Sequence, residues 1–262
     1  RQSKGMNIAN LLPIAADEKV TSMIRVPEFD EEKYLVMVTK QGIIKRISLN
    51  AYNTARKGGL IALELNEGDE LAWVRLTDGN QQVVVATKNG LAIRFEETDV
   101  RPMGRQARGV KAISLREGDC VVGMCVVAND DLILTASETG FGRISNVSDY
   151  RLQSRGGKGI TNYHTEKYGN VAAVSAVKLD EDIIIISQEG VIIRIAADTV
   201  RICNRPSKGV TLMRIGENDK VVTVARAPHE DSESEKTEET AEEETSEENT
   251  APETNAEENT EE

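Results

Sequence analysis

The sequence predicts an all-β fold of repeated, propeller-like blades that is followed by a disordered acidic tail. Three observations lead to this prediction. Glycines and arginines recur about every 50 residues, short β-branched runs end in glycine turns, and the residues after 226 carry almost no apolar side chains. A repeat of this length is typical of a blade or solenoid unit. No long helix is needed to explain residues 1–226.

The repeat is clearest in the middle of the chain, where four series keep an interval of 50 residues. They are Gly109, Gly159 and Gly209; Arg105, Arg155 and Arg205; Arg101, Arg151 and Arg201; and Gly90, Gly140 and Gly190. Earlier copies are looser, since Gly42 lies 48 residues before Gly90. With a first copy that begins at Gly5, we predict about five blades in residues 1–226, the first and last of them incomplete.

Each unit contains the pattern of a β-hairpin. An apolar run, such as residues 83–86, leads through a polar turn to glycine and then to a second alternating run. Glycine supplies the positive φ of a tight turn, and Asn89-Gly90 is the strongest example. A second turn, Glu67-Gly68-Asp69, recurs at 117–119 and, with Asn for Gly, at 217–219. Each unit therefore has about four strands, as in a propeller blade.

Composition argues against several classes of function. Apolar runs stay far below the roughly 18 residues of a membrane span, and the first residues show no signal-peptide pattern. Cys120, Cys125 and Cys203 lack the CxxC spacing of a zinc site, and the chain has only two histidines. We expect a cytoplasmic protein without a metal or cofactor in this chain. Acidic pairs such as 130–131 are interpreted as hairpin-loop charges, which argues against a propeller enzyme.

Basic residues cluster once per unit. The windows 1–5, 51–59, 101–111, 151–159 and 201–209 hold 14 basic residues and no Asp or Glu, whereas the rest of residues 1–226 has 17 basic and 28 acidic residues. Equivalent loops of neighbouring blades lie on one rim, so the sequence predicts a discontinuous basic belt suited to a polyphosphate. The candidate DNA-binding residues are Arg56, Lys57, Arg101, Arg105, Arg108, Lys111, Arg151, Arg155, Lys158, Arg201, Arg205 and Lys208.

The low aromatic content favours duplex DNA as the ligand. Single-strand binders stack bases on exposed rings, yet only 3% of the chain is aromatic. No recognition helix is predicted, which leaves contacts to phosphate and shape. Bending a few tens of base pairs costs roughly 1–6 kcal/mol, so several blades must share the contacts. An alternative from another class is a protein-binding propeller, which presents aromatic and apolar residues on one face.

The heptapeptide 153–159, Gln-Ser-Arg-Gly-Gly-Lys-Gly, resembles the box motif of the DNA gyrase A family, Gln-basic-Arg-Gly-Gly-basic-Gly, and departs from it only at Ser154. Residues 108–113 and 139–143 are similar to blades of the same family. The resemblance extends over residues 1 to about 226. It implies a β-pinwheel, whose blades exchange strands, and duplex DNA wrapped around the rim. It adds Gln153, Gly156, Gly157 and Gly159 to the candidates, the glycines for turn geometry or for backbone approach to phosphate.

The same resemblance implies a place within a larger enzyme. In the family, the wrap presents a crossed DNA segment so that ATP-driven strand passage introduces negative supercoils, and gyrase A joins gyrase B in an A2B2 heterotetramer. The family box belongs to the first blade, whereas 153–159 is the fourth box-like start here, so the alignment places Arg1 inside the second blade. None of the five tyrosines has the Arg-Tyr-Thr setting of the family nucleophile, and no glycine-rich nucleotide loop is found. We expect this chain to be non-catalytic. The C-terminal region of the corresponding chain of topoisomerase IV, which binds DNA without strong wrapping, is the alternative.

The acidic tail has two possible roles. Residues 227–262 contain 16 acidic residues and one lysine and therefore carry a net charge of −15. Because the whole chain has a net charge of −12, residues 1–226 carry a net charge of +3. Such a composition cannot bury enough apolar surface to offset the entropy of ordering. The tail acts either as a solubilising bristle or as a tethered competitor that binds the basic rim in cis and restrains DNA binding.

Overall fold

The computed structural model describes residues 5, 18, 20–26, 28–54 and 59–229. These residues form fifteen strands, one short α-helix, α1 (Thr165–Tyr168), and four 3-10 helices. The strands are β1 (Tyr34–Thr39), β2 (Ile43–Ser48), β3 (Leu71–Thr77), β4 (Gln82–Thr87), β5 (Leu91–Glu96), β6 (Val110–Lys111), β7 (Val121–Val127), β8 (Leu132–Ser137), β9 (Phe141–Asn146), β10 (Ile160–Thr161), β11 (Val171–Val177), β12 (Glu181–Ser187), β13 (Ile192–Ala196), β14 (Val210–Thr211) and β15 (Val221–Pro228).

Each of the four sheets is built on one of the predicted hairpins. The hairpins β1–β2, β4–β5, β8–β9 and β12–β13 are antiparallel, and their turn glycines, Gly42, Gly90, Gly140 and Gly190, have φ between 79° and 85°. The strand orders are β3-β1-β2-β6, β10-β5-β4-β7, β11-β8-β9-β14 and β13-β12-β15. In the first three sheets, the outermost two-residue strand comes from the next unit along the chain. This exchange confirms the expected pinwheel.

Four blades are present among the described residues, where the sequence predicts about five. The first predicted unit begins at Gly5, and most of its residues lie outside the described ranges. The fourth sheet has three strands and is the incomplete last blade.

Both faces of the central strands are buried, which explains their continuous apolar runs. In β4, Val83 and Val85 pack with Val36 of the first blade, whereas Val84 packs with Ile133 of the third blade. A further cluster fills the space between the third and fourth blades. The core therefore lies between sheets, and each blade is held by its neighbours.

The recurring Gly-Asp turn fastens the hairpin of its own blade. In the second blade, Oδ1 of Asp119 accepts hydrogen bonds from the backbone amides of Asn89 and Cys120, both at 2.9 Å. Asp69 does the same for Gln41 and Glu70 at 2.9 and 2.8 Å. Asp219 repeats the arrangement for Glu189 and Lys220 in the fourth blade. The regular spacing of this turn therefore reflects a structural clamp, and the third blade replaces it with a contact of Thr139 Oγ1 to the carbonyl of Tyr168 at 2.6 Å.

The last strand extends two residues past the predicted limit of 226, since β15 ends at Pro228. His229 follows, and its Nδ1 lies 2.6 Å from Oδ1 of Asp182. Arg194 Nε donates to the other carboxylate oxygen of Asp182 at 2.6 Å. The hydrogen bond to His229, together with Arg194, lowers the pKa of Asp182. The predicted disordered tail is residues 227–262; of these, 227 and 228 belong to β15, and residues 230–262 lie outside the described ranges.

Candidate nucleic-acid interface

Three of the predicted basic windows, 101–111, 151–159 and 201–209, form loops at the outer edge of the sheets, whereas the windows 1–5 and 51–59 lie partly outside the described residues. Strands β3, β7, β11 and β15 lie at one edge of their sheets and contact one another from blade to blade, so this edge faces the axis. The exchanged strands β6, β10 and β14 lie at the opposite edge. We call residues 101–109, 151–159 and 201–209 the box loops, because they lead into these outer strands.

Each box loop is anchored twice on the preceding blade. At its start, Pro102, Leu152 or Ile202 forms a parallel bridge with Arg46, Arg94 or Ile144, respectively. At its end, β6, β10 or β14 pairs antiparallel with the same strand. The residues between these anchors project from the sheet edge, and the repeat places them at equivalent positions in successive blades.

The glycine that ends each loop is required by the backbone. Gly109 has φ 97°, and a β-carbon there would lie 2.6 Å from the carbonyl oxygen of Ile44. Gly159 has φ 73°, and a β-carbon there would lie 2.5 Å from the carbonyl oxygen of Ala92. Side chains essentially never occupy such positions, so glycine is needed for the close approach of loop and strand.

Three loop positions carry cations, and their exposure repeats from blade to blade. The first position, Arg101, Arg151 and Arg201, is exposed. The eighth position, Arg108, Lys158 and Lys208, is also exposed. The fifth position, Arg105, Arg155 and Arg205, is half-buried. The rim thus presents two exposed cations per loop at matching places, and no box loop contains an acidic residue.

The half-buried arginines fasten consecutive units together. Arg155 donates from Nε to the carbonyl of Asp99 at 2.9 Å and from Nη1 to the carbonyl of Lys111 at 3.2 Å. Arg205 makes the equivalent contacts, to the carbonyls of Asp149 and Thr161. These guanidinium groups therefore position the loops. Arg105 lies near Tyr52, where its charge opposes the rise that burial causes in the pKa of the phenol.

The remaining candidates differ in their surroundings. Arg108 Nη2 lies 2.7 Å from Oε1 of exposed Glu64, and this hydrogen bond raises the pKa of Arg108 and lowers that of Glu64. Lys208 Nζ lies 3.6 Å from the ring centroid of Phe141. Lys111 and Lys158 are exposed. Arg56 and Lys57 lie outside the described residues.

In the heptapeptide 153–159, turn geometry dominates. The amide of Gln153 donates to the carbonyl of Arg94 at 3.0 Å, and its side-chain Nε2 is buried without a hydrogen-bond partner among the described residues. Gly156 has φ 81° and donates to the carbonyl of Ala112 at 2.6 Å. The carbonyl of Gly157 accepts from the amide of Ser114 at 2.8 Å. These residues were candidates for DNA binding, the glycines either for turn geometry or for approach to phosphate, and the structure gives Gln153, Gly156 and Gly157 each a contact within the fold.

Four buried cations in the strands were missed from the sequence: Arg46 and Arg94 are buried, and two others beneath the box loops have no exposed surface. Lys45 in β2 and Arg143 in β9 are fully buried. Burial lowers the pKa of Lys45. Both residues lie in alternating strands, where a cation is ordinarily expected on a solvent-facing side, so the pattern gave no signal. The equivalent position in β5 is Ile93, so the cation at this position of the repeat did not recur in every blade and was not noticed in the sequence.

Membrane-spanning helices and metal clusters are both absent from the part of the chain that the structure describes. Within those ranges, no helix is long and apolar enough to cross a membrane. The same residues contain no group of three or more His, Cys, Asp or Glu side chains arranged to hold a metal ion.

The architecture and the rim define a class: a propeller-like repeat protein whose blades exchange strands and whose outer edge is basic. The family described as "DNA gyrase C-terminal domain, beta-propeller" matches residues 33–78, 81–127, 131–178 and 181–228, one match per blade. The chain therefore belongs to the DNA gyrase C-terminal domain family.

Individual relatives agree with this assignment. The DNA gyrase A protein of Clostridium acetobutylicum is 52% identical over 111 residues, which is 42% of this chain and 13% of that protein. The DNA gyrase A protein of Synechocystis sp. is 45% identical over 113 residues, again 42% and 13%. The match thus spans about an eighth of these relatives.

Solved structures share the fold. The C-terminal domain of DNA topoisomerase IV aligns with a TM-score of 0.80 at 27% identity and covers 86% of this chain and 71% of that one. A DNA gyrase A C-terminal domain aligns with a TM-score of 0.76 at 27% identity, with coverages of 86% and 76%. The fold alone does not distinguish a gyrase A C-terminal domain from that of topoisomerase IV. The family match and the gyrase A relatives favour gyrase.

Proposed function

We propose that this chain is the DNA-wrapping C-terminal region of a gyrase A protein. It binds duplex DNA along the box loops and bends it around the rim, so that the parent type II topoisomerase introduces negative supercoils with ATP hydrolysed by gyrase B in an A2B2 assembly. This chain contributes no catalytic residue to that reaction. The protein acts in the cytoplasm, at the nucleoid.

One observation carries the proposal: exposed cations recur at the first and eighth positions of three successive box loops, on the same edge of successive sheets. Phosphate contacts spaced along a curved rim bind DNA without reading its sequence. Because each blade contributes only a few contacts, the cost of bending is met by several blades acting together. The box loops 101–109, 151–159 and 201–209 bind most of the DNA.

DNA topology tests the proposal. A nicked circle is saturated with protein, ligated and freed of protein, and its topoisomers are resolved. We expect a shift in linking number that grows with protein concentration and disappears in the triple variant Arg101→Ala, Arg151→Ala and Arg201→Ala. Binding without a shift would point to a domain that holds DNA without wrapping it, as expected for the topoisomerase IV alternative. Absence of binding at low salt, also after removal of residues 230–262, would refute the proposal and favour a protein-binding propeller.

A further inference from the structure

Lys45 and Arg143 occupy one position of the repeat, the third residue after the hairpin glycine. Their side chains have no exposed surface. Neither takes part in any ion pair between described residues, because their hydrogen-bond acceptors are carbonyl, hydroxyl and amide oxygens. Both are therefore buried cations without an ion-pair partner among the described residues.

Each of these cations joins two successive rim segments. Lys45 Nζ donates to the carbonyl of Ala62, at 2.7 Å, and to the carbonyl of Arg105 in the next box loop. Arg143 donates to the carbonyl of Asn162 and, from Nε at 3.2 Å, to the carbonyl of Ser207 in the next box loop. Ala62 and Asn162 lie 100 residues apart and are equivalent in the repeat. A similar bridge thus occurs in the first and third blades, although Lys45 reaches the fifth residue of its box loop and Arg143 the seventh.

The fold does not need a cation at this position, since the second blade has Ile93 there. Ile93 is buried in one cluster with Ala112, the equivalent of Ala62 and Asn162. Its Cδ1 lies 3.6 Å from where a β-carbon of Gly157 would be, so it packs against the underside of the box loop. Apolar packing is therefore sufficient in the second blade. Burial of a charge without a counter-ion, by contrast, costs several kcal/mol.

The cations lie one layer of backbone below the rim surface. Ser207 is exposed, yet its carbonyl accepts the hydrogen bond from buried Arg143. Across a planar trans peptide, the following amide, that of Lys208, is directed the opposite way, toward the outside of the loop. An anion on the loop would meet this amide and the Lys208 side chain directly. It would also interact with Arg143 through the protein, where charges are screened less than in water.

We propose that Lys45 and Arg143 are positioning residues for DNA. Each holds a box loop in register with the rim segment of the preceding unit, and its charge, which has no ion-pair partner among the described residues, is compensated by the phosphates that the loops bind. This inference rests on the proposed function and deepens it. With these residues, the first and third blades bind phosphate more tightly than the composition of their loops indicates.

The substitution Lys45→Ile tests this directly, because it reproduces the Ile and Ala pair of the second blade with a single change. We expect a folded protein with an unfolding temperature no lower than wild type. We expect its affinity for a relaxed duplex circle at low salt to fall roughly tenfold, with a smaller linking-number shift. Lys45→Arg should keep the wild-type affinity. The double variant Arg143→Ile with Asn162→Ala makes the corresponding exchange in the third blade and should bind DNA as weakly as Lys45→Ile. It should unfold at a lower temperature, because Tyr150 and Thr135 also lose their hydrogen bonds to Asn162.

The outcomes are separable. If the apolar variants fold and bind and wrap DNA as wild type does, the buried cations play no part in binding and the inference is wrong. If neither apolar variant folds while Lys45→Arg does, the cations serve the fold alone and the inference is equally wrong. If the wild-type protein binds no DNA, the proposed function itself fails, whatever the variants do.

Discussion

Among single residues of the box loops, arginine serves two purposes, which its position in the repeat distinguishes. Arg151 is exposed, whereas Arg155, four residues later, donates to two backbone carbonyls of the preceding unit. We expect Arg151→Ala to weaken DNA binding and change the free energy of unfolding by less than about 0.5 kcal/mol. Arg155→Ala should lower the free energy of unfolding by about 1–3 kcal/mol, because the carbonyls of Asp99 and Lys111 lose their charged hydrogen-bond donor. Urea unfolding and binding titrations on both variants measure this difference, and equal stability of the two would contradict it.

The aspartate of the Gly-Asp turn provides a second test at this scale. Asp119→Ala removes the acceptor for two backbone amides, those of Asn89 and Cys120. Leaving such donors unpaired costs about 1–3 kcal/mol, so the midpoint of urea unfolding should fall. Asp130 is exposed in a hairpin loop and serves as the control. Asp130→Ala should leave the midpoint unchanged, and a similar loss in both variants would show that the clamp contributes nothing specific.

The same clamp in the fourth blade predicts a dependence on pH. The pKa of Asp219 is lowered chiefly by the hydroxyl of Ser187 and further by the backbone amides around it. Because its folded pKa lies below its unfolded value, which is near 4, the stabilisation is present above that value and is lost as the pH falls through the folded pKa. Urea unfolding between about pH 6 and pH 3 should show a steeper loss of stability for wild type than for Asp219→Asn. Parallel curves would argue against this role.

At the scale of elements, the exchanged strand depends on the glycine before it. Gly159 precedes β10 with φ 73° and leaves no room for a β-carbon beside the carbonyl of Ala92. We expect Gly159→Ala to cost more than about 1 kcal/mol and to expose the amides that pair β10 with β5 to hydrogen exchange. Gly104 lies in a box loop without positive φ and with open space around it. Gly104→Ala should be nearly neutral, and comparable effects at the two sites would show that the close approach is not limiting.

The repeat made the hairpins and the rim loops predictable, since turn glycines and basic windows are local features. Gly90 and the clamp around Asp119 were visible in the sequence as turns. Their partners were not, because hydrogen bonds between residues some 30 positions apart leave no local pattern. The buried state of Lys45 was hidden for a related reason. Lys45 and Arg46 are adjacent in β2 and face opposite sides of the sheet, yet both are buried. Periodicity does not show that neighbouring units cover both sides of this strand.

At the scale of the whole molecule, charge is divided between a basic rim and an acidic terminal segment. Residues 227–262 carry −15, enough to rival DNA phosphates for the rim if the segment reaches it at high local concentration. Truncation after His229 retains β15 and the contact of His229 with Asp182. We expect this truncation to tighten DNA binding at low salt and to lose its effect as salt screens the tail. A variant that keeps the segment but has every Glu after His229 changed to Gln separates the effect of its charge from that of its bulk. Its DNA affinity should match that of the truncated protein. Unchanged affinity in both would identify the segment as a solubilising tail.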